Sequence, residues 1–305
     1  MSEHPVLRVP PWTLAVAAML SVQLASALSV PLIQTVGPAG TAWLRLTAGA
    51  IVFVALSRPP LRSIRASDLP GLVGLGLTSG LVTIAFLAAI ERIPLGTAVA
   101  IEFLGPLTVA SLRSHRLTTL LWPVMALAGV LLLTEPWHGE IQPAGLVFAG
   151  AAAVGWAGYI VLTRHVGDRF GGLSGLSLTV PIAAAAAAAF GIPQAWGQLT
   201  WNVVAAGMGL ALLLPVLPYA FELIAIRHMT MAAFGTLMAL EPAIALVLGL
   251  IVLHQRPSGL QLVGILLVVL AGAAAQRGGR RTTPADHADQ GAGLSADVTT
   301  PVDPG

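Results

Sequence analysis

Four ionisable side chains lie inside long apolar stretches of this sequence: Arg45, Glu102, Glu222 and Glu241. If those stretches cross a lipid bilayer, a charge at its centre costs about 2.5–3.5 kcal/mol on insertion scales. Each of these side chains is therefore expected to face a cavity or a partner. A carboxylate in such a cavity could bind an ammonium group or exchange a proton with a solute. The alternative for each glutamate is a structural role, as a protonated or hydrogen-bonded group that packs helices together.

Glu102 and Glu241 end two copies of one short pattern. Residues 96–102 and residues 235–241 both read Gly-Thr-x-x-Ala-aliphatic-Glu. Matches of glycine and alanine arise easily in this composition, but acids inside apolar stretches are rare. One packing contact has no reason to recur in both copies. The repeated setting therefore favours a functional role for Glu102 and Glu241, as groups that flank a central cavity.

The other two charged residues leave their roles open. Glu222 follows Tyr219 in a stretch that also contains Pro215 and Pro218, and proline bends a helix and frees a backbone carbonyl. A bent helix with a carboxylate and Tyr219 suits a gate or a site wall, and a packing role fits equally well. Arg45 could pair with a glutamate, bind a substrate carboxylate, or snorkel toward the outer face.

Four uncharged polar or aromatic side chains are further candidates for the cavity wall. Trp156 and Tyr159 lie one helical turn apart, so they could line a cavity together. An interfacial aromatic belt or a core position is the alternative for both. Gln23 and Ser26 lie three residues apart on one face, where hydrogen bonding between helices competes with cavity lining.

Stripes of small residues predict close packing of helices. Residues 76–80 read Gly-Leu-Thr-Ser-Gly, a pattern that lets helices approach closely. A second stripe at helical spacing contains Gly235, Met238, Pro242, Ala245 and Gly249. We interpret both stripes as packing surfaces and not as contacts to a substrate.

The composition places the chain in a membrane. Of its 305 residues, 56% are hydrophobic and 9% are charged, against roughly a quarter charged in soluble domains. The mean hydropathy is +0.86 and the net charge is +2, so we exclude a soluble enzyme, a disordered protein and a nucleic-acid binder. The absence of Cys and Lys excludes disulfides, thiol nucleophiles, Schiff bases and P-loops. No histidines lie at metal-ligand spacing inside an apolar stretch, so no catalytic residue, metal or cofactor is predicted.

Ten apolar stretches are long enough to be membrane helices, which need about 20 residues each. They lack the alternation of a β-barrel, so helices are the prediction. The stretches are 12–34, 40–57, 69–90, 95–112, 118–134, 144–163, 175–192, 202–226, 231–253 and 258–276.

The tail after the last stretch, residues 277–305, is rich in Asp, Thr, Pro, Gly and Ala and is predicted to be disordered and cytoplasmic.

The arginines orient these ten stretches. With the N-terminus inside, the inner segments hold 12 of the 15 arginines, and the outer loops hold only Arg92 and Arg256. This bias follows the positive-inside rule and predicts that both termini are cytoplasmic. The prediction is a multi-pass membrane protein.

Ten helices divide into five plus five, and a repeat with an odd number of helices inserts its second copy upside down. The predicted fold is therefore an all-α integral membrane protein of ten transmembrane helices arranged as two inverted five-helix repeats. The repeats are residues 12–135 and 144–276, and residues 1–11 form a cytoplasmic N-terminus. Inverted repeats are typical of secondary transporters, whose site lies near the midplane between the halves.

Two stretches resemble a known family. They are residues 93–107 and residues 217–243, the latter containing Leu-Pro-Tyr at 217–219, Glu222 and Glu-Pro-Ala at 241–243. The sequence resembles the drug/metabolite transporter superfamily, of the type with two five-helix EamA repeats, and within it the bacterial threonine/homoserine exporters. The resemblance covers residues 12 to about 276. Many members end the ninth helix with Gly-Glu, whereas this chain has His254 and Gln255, which removes a carboxylate from that membrane edge.

The resemblance implies export of a small amino acid such as threonine or homoserine, and a location in the bacterial inner membrane. The residues alone imply only a small polar or zwitterionic solute. No ATP-binding motif is present, so a gradient must supply the energy, and the buried carboxylates favour proton antiport with alternating access. Another metabolite or drug, such as a nucleoside, a purine or a toxic amphiphile, is the first alternative. A membrane-embedded enzyme and a channel are less favoured. A homodimer is possible, but a monomer suffices mechanically because one chain holds both halves.

Overall fold

Helices make up nearly all of the computed structural model, which describes residues 10–57, 61–112, 120–135, 142–167, 170, 172–229 and 231–278. Two single turns of 3-10 helix, Leu61–Ser63 and Ala66–Asp68, precede α2, and a π-helical segment, Leu212–Val216, joins α8 to α9. The predicted tail from residue 279 and the first nine residues lie outside the described part. The helices are α1 Pro11–Ser57, α2 Leu69–Ile90, α3 Leu95–Glu102, α4 Leu104–Leu112, α5 Leu121–Thr134, α6 Pro143–Gly167, α7 Leu173–Ala195, α8 Trp201–Ala211, α9 Leu217–His228, α10 Met231–Met238, α11 Glu241–Val252 and α12 Gly259–Gly278.

Seven helical stretches of the described chain are long and apolar enough to cross a membrane. Two further apolar helices, Leu121–Thr134 and Gly259–Ala275, are shorter. The predicted helical class is confirmed for the described residues, and the chain is a multi-pass membrane protein. The predicted stretches agree with the helices to within a few residues, although the start of the fifth, at residue 118, lies outside the described part.

The first helix is a hairpin. A straight helix of its 47 residues would be about 70 Å long, roughly twice the thickness of a bilayer core. Gly37 interrupts it with non-helical angles, φ 74° and ψ 171°. The Arg45 guanidinium donates a hydrogen bond to the Ser29 hydroxyl at 3.0 Å, although 16 helical residues span about 24 Å. The chain therefore folds back at Gly37, and the two arms lie side by side.

Glycines let neighbouring helices touch. At Gly80 of α2, an added Cβ would lie 2.7 Å from the Ala183 carbonyl oxygen of α7, and at Gly76 it would lie 2.6 Å from the Ile182 side chain. At Gly105 of α4, it would lie 2.1 Å from the Ala153 carbonyl oxygen of α6. The stripe at residues 76–80 is a packing surface at both of its glycines, as predicted.

Gly80→Ala is expected to lower the thermal unfolding midpoint in detergent. The new methyl group meets a backbone carbonyl that cannot rotate away, and overpacking of this kind costs about 1–3 kcal/mol. Gly150→Ala is the matched control, because a Cβ at Gly150 in α6 meets no atom within 4 Å. That substitution should leave the midpoint unchanged or raise it, since alanine favours a helix over glycine. Equal midpoints for the two variants would show that α2 and α7 are not packed this closely.

Candidate functional site

A cavity of about 410 Å³ lies among the helices, and most of its wall is apolar. Its lining residues come from α1, α2, α3, α6, α7, α9, α10, α11 and the π-helical segment, and many of them fall near the middle of a helix. The structure places all eight sequence-predicted site residues in this wall. They are Gln23, Arg45, Glu102, Trp156, Tyr159, Tyr219, Glu222 and Glu241.

Three glutamates line the cavity: Glu102 of α3, Glu222 of α9 and Glu241 of α11. Both Glu102 and Glu222 lie close enough to Glu241 to repel its charge. Glu241 is only 4% exposed. None of the three forms an ion pair with another residue in the described part of the chain. Three such groups would repel one another if all were charged, and a bound proton or a cationic ligand would relieve that repulsion.

Breaks in two helices fall at these glutamates. Helix α3 ends at Glu102 and α4 begins at Leu104, while α10 ends at Met238 and α11 begins at Glu241. In a continuous helix the nitrogens of residues 106 and 242 would bond to the carbonyls of Glu102 and Met238, but both positions are proline and carry no N–H. The fourth and ninth predicted stretches are still single apolar spans, Leu95–Leu112 and Ala233–Val252, each interrupted beside its glutamate.

A third break lies in the eighth predicted stretch. Leu214 has extended angles, φ −159° and ψ 112°, within the π-helical segment. The Ser21 hydroxyl of α1 donates to the neighbouring Leu213 carbonyl at 2.7 Å, which satisfies one backbone group that the break exposes. Leu214, Pro215 and Pro218 all line the cavity. Irregular backbone inside a membrane is tolerated where it is buried in protein or lines a cavity, and the bend predicted from the prolines is present.

Arg45 is buried beside the cavity, and the described residues supply no counter-ion to it. Its side chain is 5% exposed, so it does not snorkel to the surface. It makes no ion pair with a carboxylate among the residues that the structure describes. Its Nη1 donates to Ser29 Oγ, and its Nε has no hydrogen-bond partner. The Oε1 atom of Gln23, another wall residue, is also buried without a partner. In the described part of the chain, Arg45 therefore neither pairs with a glutamate nor snorkels to the surface.

Aromatic side chains shape one part of the wall. The Tyr219 ring packs edge to face on Phe53, with 5.9 Å between the ring centroids. Tyr159 forms a hydrogen bond with the Thr163 side chain and lies near Glu222. Trp156 lines the same cavity one turn before Tyr159. These contacts hold two of the three rings beside the carboxyl cluster, where they limit the space open to a ligand.

Known proteins with similar sequences decide the family. The threonine/homoserine exporter RhtA of Salmonella typhimurium strain SL1344 is 33% identical over 277 residues, which is 87% of this chain and 91% of that protein. The exporter of the same name from Escherichia coli K12 is 33% identical over 275 residues with the same shares. Residues 143–274 match the EamA-like transporter family. The chain belongs to the EamA-like transporter family.

One solved crystal structure supports the fold of this EamA-like transporter. It superposes with a TM-score of 0.56 at 22% sequence identity, over 87% of this chain and 98% of the other. At this identity the likeness concerns the fold alone. The resemblance to the drug/metabolite transporter superfamily found in the sequence is confirmed by the family match and the two relatives.

Sequence reasoning missed part of the transporter's cavity wall. Ser79, Thr83 and Phe86 of α2 line it, although the stripe containing Ser79 was interpreted as a packing surface. Met238 lines it too, against the same interpretation of the second stripe. The missed signal was the spacing of Ser79, Thr83 and Phe86, which places two hydroxyl groups on one face of an otherwise apolar helix.

Gln255, where this chain departs from the family pattern, makes a hydrogen bond to the start of another helix. The Gln255 side-chain oxygen accepts a hydrogen bond from the Leu95 backbone N–H at 3.1 Å, at the start of α3. An amide oxygen thus satisfies a helix terminus here without adding a charge. In the described part of the chain, no group of three or more His, Asp or Glu side chains is arranged to hold a metal ion.

Proposed function

We propose that this chain is a secondary active exporter of small amino acids such as threonine or homoserine, driven by proton antiport with alternating access. The observation that carries the proposal is the cluster of three carboxyl groups inside a membrane cavity of an EamA-like transporter. The name of the RhtA relatives supplies the substrate class. Glu102 and Glu241 are proposed to bind either a proton or the substrate ammonium group. Because a proton and the substrate cannot occupy the same carboxylate at once, export of the substrate is coupled to movement of a proton in the opposite direction.

The other wall residues complete the proposed site. Glu222 lies beside Tyr159 and near Glu241, so it adds negative potential on the same side of the cavity. Tyr219, Tyr159 and Trp156 are proposed to enclose the substrate side chain, and Gln23 to bind one of its polar groups. No cofactor is part of this proposal.

We also propose that the fold consists of ten transmembrane helices in two inverted repeats, residues 12–135 and 144–276. The contacts between helices support this division into two repeats. Helix α3 packs on α11 and α5 packs on α12, and each pair joins counterparts of the two halves. The third helix of each proposed repeat also packs on the first helix of the other repeat: α2 packs on α6, and α9 packs on α1. The family match at residues 143–274 has nearly the bounds of the second proposed repeat.

The proposed location is the bacterial inner membrane with both termini in the cytoplasm. The chain has no cysteine, so single cysteines can report the orientation without background. Ala66 and Gln198 are both exposed, and five proposed helices separate them. We expect a membrane-impermeant maleimide to label Gln198→Cys in intact cells with a permeable outer membrane, and Ala66→Cys only after lysis. The reverse pattern would invert the orientation, and labelling of both in intact cells would contradict the number of helices.

A second candidate substrate class is a larger amphiphilic metabolite or drug. The mostly apolar wall, which includes Val22, Val82 and Phe86, favours it. The cavity volume also falls within the range of about 300–1,000 Å³ that holds drug-sized ligands. A competition panel separates the two classes. The amino-acid proposal requires that threonine and homoserine suppress uptake of labelled threonine into preloaded vesicles more strongly than purines, nucleosides or lipophilic cations do at equal concentration.

A further inference from the structure

Arg45 is a buried cation whose hydrogen bond in the described part of the chain goes to a neutral hydroxyl. Nη1 donates to the Ser29 hydroxyl, and that hydroxyl donates to the Ala25 carbonyl at 2.6 Å. Because Ser29 gives its proton to a backbone carbonyl, its oxygen lone pairs remain to accept from the guanidinium. Ser29 is fully buried. A buried charge without an ionic partner is costly, so this arrangement suits a site in which a ligand supplies the counter-charge.

The free edge of the guanidinium matches a carboxylate. Its Nε has no partner among the described residues. The planar guanidinium presents paired N–H groups that bind a carboxylate in a bidentate manner. The acidic cluster does not neutralise Arg45 in the described part of the chain. One cavity therefore carries a cationic group on α1 and a separate group of carboxyls on α3, α9 and α11.

We propose that Arg45 binds the carboxylate of the transported solute, that Ser29 is the residue that positions it, and that the cavity accordingly selects solutes with both a free carboxylate and an ammonium group. The inference rests on the proposed function and deepens it. Ser29 does not line the cavity itself. It acts through Arg45, because the hairpin at Gly37 brings the two arms of α1 together. Gln23 Oε1, in the same cavity wall, is an uncharged acceptor that could bind a hydrogen-bond donor of the ligand.

The test compares threonine with threoninamide, which keeps the ammonium and hydroxyl groups but lacks the carboxylate. Each compound competes with labelled threonine in counterflow by the full-length protein in proteoliposomes. For the native protein we expect threonine to compete about 10- to 100-fold more strongly than threoninamide, because threoninamide lacks the charge-assisted hydrogen bond to Arg45. Arg45→Gln should bring this ratio close to one, and Arg45→Lys should keep part of it.

Ser29→Ala tests the positioning role. It should raise the KM for threonine and lower the ratio while leaving the maximal rate similar, and Ser29→Thr, which keeps the hydroxyl, should restore the ratio. Ser177→Ala is the matched control, because Ser177 is also buried and, among the described residues, its hydroxyl donates to the Ser174 carbonyl of its own helix. If Arg45→Gln does not fold, Ser29→Ala and Arg45→Lys still decide the question.

The outcomes separate the two proposals. A native ratio near one, or an unchanged ratio in both Arg45→Gln and Ser29→Ala, overturns the role of Arg45 while threonine transport stands. If the native protein exchanges no threonine, the proposed function fails, and the inference that rests on it fails too.

Discussion

Replacing Glu241 or Glu102 with glutamine is expected to reduce threonine counterflow by about 10- to 100-fold, because each loses a charge-assisted bond to the ammonium group. Each substitution should also remove the response of threonine transport to a pH gradient. Glutamine keeps the size of the side chain and its hydrogen-bonding capacity, but it cannot take up or release a proton. Glu241 should show the larger effect, since it is the more deeply buried and lies within reach of both other carboxyls. The measurement is counterflow in proteoliposomes with and without an imposed gradient.

Glu135→Gln is the control for these variants. Glu135 accepts a hydrogen bond from the Ser258 hydroxyl, away from the cavity, and glutamine can accept the same bond. This variant should retain the native rate and the native response to pH. Unchanged gradient coupling in both Glu102→Gln and Glu241→Gln would remove the basis for proton antiport through this cluster.

Gly37→Ala is expected to destabilise the hairpin of α1 by about 2–4 kcal/mol. The angles at Gly37 belong to a region that is essentially restricted to glycine, which costs of order 1–3 kcal/mol for another residue. The added Cβ would also lie 2.1 Å from the Gln194 side chain. That side chain accepts from the backbone N–H groups of Ala39 at 2.7 Å and Gly40 at 3.2 Å. Moving it away costs about 1 kcal/mol more, the usual value of a helix cap.

Two control variants separate these contributions. Gln194→Ala loses the cap alone. Gly197→Ala introduces a side chain at a φ of +80°, where nothing lies within 4 Å. The thermal unfolding midpoint of Gly37→Ala in detergent should fall further than that of either control. Because the hairpin holds Ser29 against Arg45, Gly37→Ala should also weaken threonine binding. A midpoint equal to that of Gln194→Ala would mean that Gly37 is not under conformational constraint.

The charged candidates could be predicted because burial in a membrane is costly. Acids are rare in apolar stretches, so Glu102, Glu222 and Glu241 were conspicuous without any knowledge of their neighbours. The repeated pattern around two of them indicated a shared environment. The helices themselves followed from hydropathy, with boundaries correct to within a few residues.

The details of backbone and packing could not be predicted in the same way. Pro106 and Pro242 lie at different distances from their glutamates, four residues and one residue away, yet both break a helix beside the cavity. Which carbonyl a proline frees depends only on its position, but whether the helix then opens depends on the helices packed against it. Ser79 and Gly80 are neighbours, and only the packing of α2 on α7 decides that one lines the cavity and the other meets a backbone carbonyl. The contact between Ser29 and Arg45 required the fold of the hairpin.

Counterflow of labelled threonine tests the central claim most directly. Proteoliposomes containing the full-length protein are preloaded with threonine or with buffer, and labelled threonine is added outside with and without an imposed pH gradient. The proposed function predicts accumulation that requires internal threonine and that changes with the gradient. Absence of counterflow in protein shown to be folded and inserted would contradict the assignment of threonine as a substrate. Counterflow that ignores the gradient in the native protein would contradict proton antiport.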